Sequence, residues 1–132
     1  MENTILFPET HHDLLKTEIA MLATIGPGGY PQVTAVWFFL DDDGFVKLSM
    51  KTSRQKVKNL RQHRACALFI LDRINPGRTL EIRANAEVVA DADYGFADRI
   101  GRKYGADIRK MDADGESRVV VILHPVKINT HE

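Results

Sequence analysis

Gln32-Val33-Thr34-Ala35-Val36-Trp37-Phe38-Phe39-Leu40, then Asp41-Asp42-Asp43-Gly44, then Phe45-Val46-Lys47-Leu48-Ser49-Met50, reads as strand, turn and strand. The first run is rich in β-branched and aromatic side chains, which suit a pleated surface. The second alternates apolar and polar residues at the two-residue period of a half-buried strand. Between them, Asp and Gly tolerate the positive φ that a tight hairpin needs. Upstream, Met21-Leu22-Ala23-Thr24-Ile25 is a shorter apolar run halted by Gly26-Pro27-Gly28-Gly29. Residues 10–16 precede it as a short helix, with Thr10 as N-cap and Asp13 in the first turn.

Downstream, residues 53–63 read as a helix capped by Ser53, with Val57 and Leu60 on one face. Residues 65–71 form an apolar strand and 72–77 a loop. Residues 79–90 alternate Leu80, Ile82, Ala84, Ala86 and Val88 with polar neighbours, a long half-exposed strand. Tyr94, Ala97, Ile100 and Tyr104 recur at helical spacing within 91–104, with acids leading and Arg102 and Lys103 trailing. A β-branched run over 118–123 continues past Pro125 through 126–128. Six strands with short helices make a mainly β domain, a small antiparallel barrel with helical plugs.

At 132 residues, 44% hydrophobic and 27% charged, the chain has the size and composition of one globular domain, 1–132. Eighteen basic residues balance eighteen acidic ones, so total charge gives no reason to expect nucleic acid or membrane as a partner. The single cysteine, Cys66, allows no internal disulfide and suits a reducing cytoplasm, packed as a small hydrophobe. No Cys/His spacing suggests a metal. The amino-terminal stretch mixes Glu2, Glu9, His11, His12 and Asp13 with few apolar residues, unlike a leader or a span. His11 and His12 are read as exposed, and His63 as a charge suited to a helix C-terminus.

Local charge is more informative. Lys51, Arg54, Lys56, Lys58, Arg61 and Arg64 fall within fourteen positions without one acid. In a helix starting at Ser53, Arg54 and Lys56 sit in the first turn, where the macrodipole disfavours cations by up to about 1 kcal/mol each. A bound anion reverses that penalty: backbone N–H groups, the hydroxyls of Thr52 and Ser53, and the Arg54 and Lys56 side chains would form a phosphate cradle. The plain alternative is a solvated basic face. The run from Val33 to Leu40, apolar on both faces except at Thr34, is expected to be covered on both sides. It is either an interior strand or one that turns Trp37, Phe38 and Phe39 partly toward a cofactor or another subunit. Gln32 and Thr34 share one face and offer an amide and a hydroxyl to a ring system. No nucleophile elbow, dinucleotide fingerprint or Walker loop is present, so no catalytic side chain is assigned; a cofactor would carry the chemistry.

Leu22-Ala23-Thr24-Ile25, Gly29-Tyr30-Pro31-Gln32-Val33-Thr34-Ala35-Val36-Trp37-Phe38, Ser53-Arg54-Gln55-Lys56-Val57-Lys58-Asn59-Leu60 and Leu80-Glu81-Ile82-Arg83-Ala84-Asn85-Ala86-Glu87-Val88 together resemble the split β-barrel flavin- and deazaflavin-binding proteins related to pyridoxamine 5'-phosphate oxidase. The resemblance spans most of the chain from Leu22 to about Ala90. It implies a six-stranded split barrel and a homodimer with cofactor sites at the interface. It also implies that Arg54 and Lys56 hold the cofactor phosphate with Lys51, Thr52 and Ser53 around it. Gln32, Thr34, Ala35 and Val36 would run beside the ring, and Ser49 and Met50 along the tail. The oxidase relatives usually carry an arginine in the second strand and a longer carboxy-terminal segment; this strand has none, and the chain closes at Glu132. The Pro-x-Val-Thr-x-Val-Trp-Phe strand and the Lys-Val-Lys-Asn-Leu helix are more similar to the branch that uses coenzyme F420. That branch implies hydride transfer from the reduced deazaflavin to a small electron-poor acceptor. An FMN-binding flavoprotein and a non-catalytic flavin binder are the alternatives.

Overall fold

The long alternating run of residues 79–90 and the β-branched run after it become the two longest strands, side by side within one antiparallel sheet. The computed structural model describes residues 7–132; Met1 to Leu6, the start of the stretch read as neither leader nor span, lie outside the described residues. The strands are β1 (Ala20–Ile25), β2 (Pro31–Val36), β3 (Phe39–Leu40), β4 (Val46–Lys51), β5 (Ala65–Leu71), β6 (Thr79–Ala90) and β7 (Arg118–His131). They pair in the order β2-β1-β5-β6-β7-β4-β3 and curl into a split barrel. Inward alternation buries Leu22, Leu48, Leu68, Ile70, Leu80, Ile82, Val121 and Leu123, each worth about 1.5–3 kcal/mol of transfer energy. Helix α1 (Gln55–Gln62) adds Val57 and Leu60 to that core. Helices α2 (Gly95–Tyr104) and α3 (Ile108–Met111) form a second cluster, in which Phe96, Ala97, Ile100 and Ile108 pack with Trp37, Phe39 and Val120.

The described residues form seven strands rather than the expected six, because the run 32–40 is split after Val36. Phe38 leaves the ladder, and side chains of α2 take its backbone groups. Its N–H donates to the Tyr104 hydroxyl at 2.9 Å, and its carbonyl accepts from Lys103 Nζ at 2.7 Å. The Phe38 ring is fully buried. The expectation that both faces of this run are covered fails in β2, where Val33 is 63% exposed and Ala35 is also exposed.

Other expectations shift in register. Ser53 does not cap α1: a turn closed by the Arg54 N–H on the Lys51 carbonyl (3.1 Å) delays the helix, so Arg54 takes the N-cap position without a side-chain cap bond. The amino-terminal helix is a 3-10 helix over Glu9–Lys16 that follows Pro8; Thr10 is inside it, with Oγ1 against His11 Nδ1 at 2.8 Å. His11 is buried rather than exposed, because its Nε2 reaches the His131 carbonyl at 3.0 Å and so ties the first helix to the last strand. The helix expected over 91–104 starts at Gly95. Asp91 stays outside it, buried, and accepts the N–H groups of Phe96 and Ala97 at 3.2 and 2.9 Å. The last strand does run on past Pro125, with a bulge that leaves Val126 unpaired between the Ala84–Pro125 and Arg83–Lys127 pairs.

Candidate functional site

Strand β2 and the first turns of α1 face each other across a polar seam. Two residues apart on β2, Gln32 and Thr34 both turn to the helix, as period-two alternation requires. Lys56 Nζ donates to Thr34 Oγ1 at 3.1 Å, and Asn59 Nδ2 donates to Gln32 Oε1 at 2.9 Å. Asn59 also donates to Thr24 Oγ1 at 3.0 Å, on the β1 residue that pairs with Gln32. The seam needs Gly26 at the end of β1: a Cβ there would lie 3.1 Å from the Tyr30 carbonyl oxygen and 3.6 Å from Asn59 Nδ2.

The open end of α1 holds positive charge and free donors. The helix has no acid in its first turn, and the backbone N–H groups of Gln55 and Lys56 have no acceptor among the described residues. Burial pushes the Lys56 ammonium below its ordinary value, and the neighbouring Arg54 guanidinium pushes it the same way. Neither side chain has a carboxylate partner among the described residues, whereas Lys47, Arg78, Arg99, Arg109 and Arg118 are all ion-paired. Thr52 Oγ1 accepts from the Ser117 hydroxyl at 2.8 Å, which leaves its own hydrogen to donate. An arrangement of two cations, hydroxyl donors and two open N–H groups suits an anion of phosphate type.

The remaining expected positions are less uniform. Ser49 faces the outer side of β4, within 3.4 Å of an Arg118 nitrogen. Met50 points into the core. Lys51 pairs with Glu116 at 3.3 Å, so it is partly neutralised. Ser53 and Arg54 are exposed at the turn, while Val36 is buried at the inner end of β2. Thus Thr34 is hydrogen-bonded to Lys56 and Gln32 to Asn59 across the seam, Arg54 is close enough to act on Lys56, and Ser49 to Lys51 lie on β4, which leads into α1 and does not pair with β2. Cys66 is partly buried, and burial pushes its thiol up to about 11, which removes it as a nucleophile at neutral pH. Among the described residues no group of His, Cys, Asp and Glu is placed to hold a metal.

Sequence reasoning missed Asn59, Thr24 and the contact of Trp37 with Tyr104. An Asn inside a short helix is a poor helix former and signals a specific partner, though not which one. Trp37 stacks on Tyr104 with ring centroids 4.3 Å apart and planes 4° from parallel, a contact between residues far apart in sequence. A concavity of about 320 Å³ lies between the glycine turn and the face of α1 that carries Gln55, Asn59 and Gln62. A broader one of about 440 Å³ lies on the outer sheet face beside Ala23, Cys66 and Ala67. That face is apolar: rows Ala35-Met21-Phe69 and Val33-Ala23-Ala67 run across β2, β1 and β5, with Met21 39% and Phe69 37% exposed.

No helix among the described residues is long and apolar enough to cross a membrane. Comparison with curated proteins gives no match. Among solved structures the chain is similar to an F420 reductase, with 32% identity, a TM-score of 0.82, and coverage of 93% of this chain and 98% of that one. Two more distant likenesses speak to the fold alone. A conserved hypothetical protein of Mycobacterium tuberculosis has 24% identity, a TM-score of 0.77 and coverage of 99% and 88%. A Clostridium acetobutylicum protein related to general stress protein 26, of the pyridoxinephosphate oxidase family, has 20% identity, a TM-score of 0.72 and coverage of 96% and 91%. The family model for pyridoxamine 5'-phosphate oxidase matches residues 7–132, the whole described chain. With its curled antiparallel sheet and polar seam, the chain belongs to the pyridoxamine 5'-phosphate oxidase family of flavin-binding split barrels.

Proposed function

We propose that the protein is an oxidoreductase that uses coenzyme F420 to reduce a small electron-poor organic acceptor, and that it works as a cytoplasmic homodimer. The observation that carries this reading is the pair Arg54 and Lys56, without carboxylate partners among the described residues, at the donor-rich opening of α1 beside Thr34. When bound, the cofactor ring supplies the hydride. Arg54, Lys56, Thr52 and Ser53 hold its phosphate, with Lys51 nearby and partly engaged by Glu116. Gln32, Thr34, Ala35 and Val36 lie beside the ring, and Ser49 and Met50 of β4 follow its tail. The apolar run from Val36 to Phe38 would keep water from that side, and because the cofactor would supply the hydride no side-chain nucleophile is required. The likeness to an F420 reductase at 32% identity supports the deazaflavin over FMN; the family match supports FMN as the second reading.

Fluorescence titration of the purified protein with F420 and with FMN separates the two. F420 is expected to bind at least tenfold more tightly, and tight FMN binding without F420 binding overturns the first reading. Arg54→Ala and Lys56→Ala are each expected to weaken binding by about 1.5–3 kcal/mol, the range for hydrogen bonds to charged groups. Arg61→Ala, exposed further along α1, is expected to change it much less. Equal affinity in all three variants and the unaltered protein removes the cradle.

A further inference from the structure

Asn59 is a buried amide whose hydrogen-bonding capacity is divided by side. It is 3% exposed, and its partner Thr24 is 2% exposed. Its nitrogen meets two acceptors, Thr24 Oγ1 at 3.0 Å and Gln32 Oε1 at 2.9 Å, while its oxygen accepts from Gln55 Nε2 at 2.9 Å. Placed this way, both amide hydrogens of Asn59 are used on the sheet side and its oxygen on the helix side, and no buried side-chain polar atom among the described residues is left without a partner. With Oε1 committed to Asn59, Gln32 can only present its NH2 to the open side of β2.

Two residues along the strand, Thr34 is in the same condition. Its oxygen is taken by Lys56 Nζ, so its hydroxyl hydrogen is free to donate. The row Gln32, Thr34, Lys56 and Arg54 therefore offers donors throughout. We infer that Asn59 is a positioning residue that holds Gln32 with its carbonyl inward and its NH2 outward, so that β2 selects a ligand edge made of acceptors, such as the carbonyls of a pyrimidinedione ring. This rests on the cofactor reading given above. Donors along such an edge favour the reduced, more negative form of the ring.

In the ligand-free protein, side-chain amide NMR is expected to show the Asn59 NH2 protected from exchange and the Gln32 NH2 exchanging freely. On titration with F420, the Gln32 NH2 resonance is expected to shift. A Gln32 NH2 that is protected from exchange overturns the orientation whether or not any cofactor binds, because amides turned over together would aim that NH2 at the Asn59 oxygen. Asn59→Asp presents only acceptors, so Gln32 must turn its NH2 inward and its carbonyl outward. The ratio of affinities for reduced and oxidised cofactor is then expected to fall about tenfold, a drop of about 30 mV for a two-electron couple. The same substitution in a Gln32→Leu background is expected to leave that ratio within about twofold. An equal fall in both backgrounds means that the new charge alone acts, and the proposal fails. Absence of F420 and FMN binding by the unaltered protein defeats the cofactor reading and this role of Gln32 together, whereas binding with an unchanged ratio in Asn59→Asp defeats only the role of Asn59.

Discussion

Lys103 ends α2 with its ammonium 2.7 Å from the Phe38 carbonyl and 4.0 Å from the centroid of the Phe38 ring. Burial pushes its pKa down to about 8, opposed by the attraction of Glu18. In the unfolded chain a lysine titrates near 10.4, so between about 8 and about 10.4 the unfolded state holds more protons than the folded one. Stability from this group therefore rises with pH across that window. Replacing it with an apolar side chain of similar length is expected to flatten the rise. Urea unfolding of the native chain and Lys103→Met at about pH 7.5 and about pH 10 measures this, and equal slopes in the two proteins contradict it. Asp112 is shifted the same way for the opposite reason: the Arg118 guanidinium favours its charged form and holds its carboxyl down at about 2, with the Tyr94 hydroxyl adding a hydrogen bond. Neither effect is legible in the sequence, because Lys103 reads there as an ordinary basic residue at a helix C-terminus.

At the level of elements, α2 shows how a local rule yields to packing. Gly101 lies inside the helix, where Ala would improve helix propensity by about 0.8–1 kcal/mol. A Cβ at this position would lie 2.5 Å from the Ala106 carbonyl oxygen, a backbone atom that cannot easily move aside. The Ala106 N–H also returns to the Gly101 carbonyl at 2.9 Å, and Gly105 takes the left-handed conformation at φ 63°. Overpacking costs about 1–3 kcal/mol, so Gly101→Ala is expected to lower the melting temperature in a thermal unfolding scan despite the better propensity; a higher Tm would show that the helix end yields. The same helix carries Lys103 and Tyr104 to Phe38, and that contact is why one expected strand became β2 and β3. Periodicity located the long helices and strands, since amphipathic spacing is a property of the segment itself. It misplaced the start of α1 by two residues, because the Lys51–Arg54 turn depends on where β4 ends.

For the whole molecule, the outer apolar face of β2, β1 and β5 explains why Val33 and Ala35 read as covered on both sides yet are exposed in one chain. Monomers rarely leave such contiguous patches open, and a second copy is the proposed cover. Phe69→Glu places a charge in the Ala35-Met21-Phe69 row and is expected to convert a dimer to a monomer in sedimentation or light scattering. A native chain that is monomeric at all concentrations removes the dimer. The sequence by itself determined the β-rich class, the boundaries of β5 and β6, and the basic segment at Arg54 and Lys56, because alternation, turn residues and charge are written locally along the chain. Tertiary structure decided that Thr24, Gln32 and Asn59 meet, that His11 is buried against the last strand, and that Phe38 leaves the ladder. Those outcomes depend on which strands become neighbours, and hydrogen bonds between residues 27 to 120 positions apart leave no local periodicity to read.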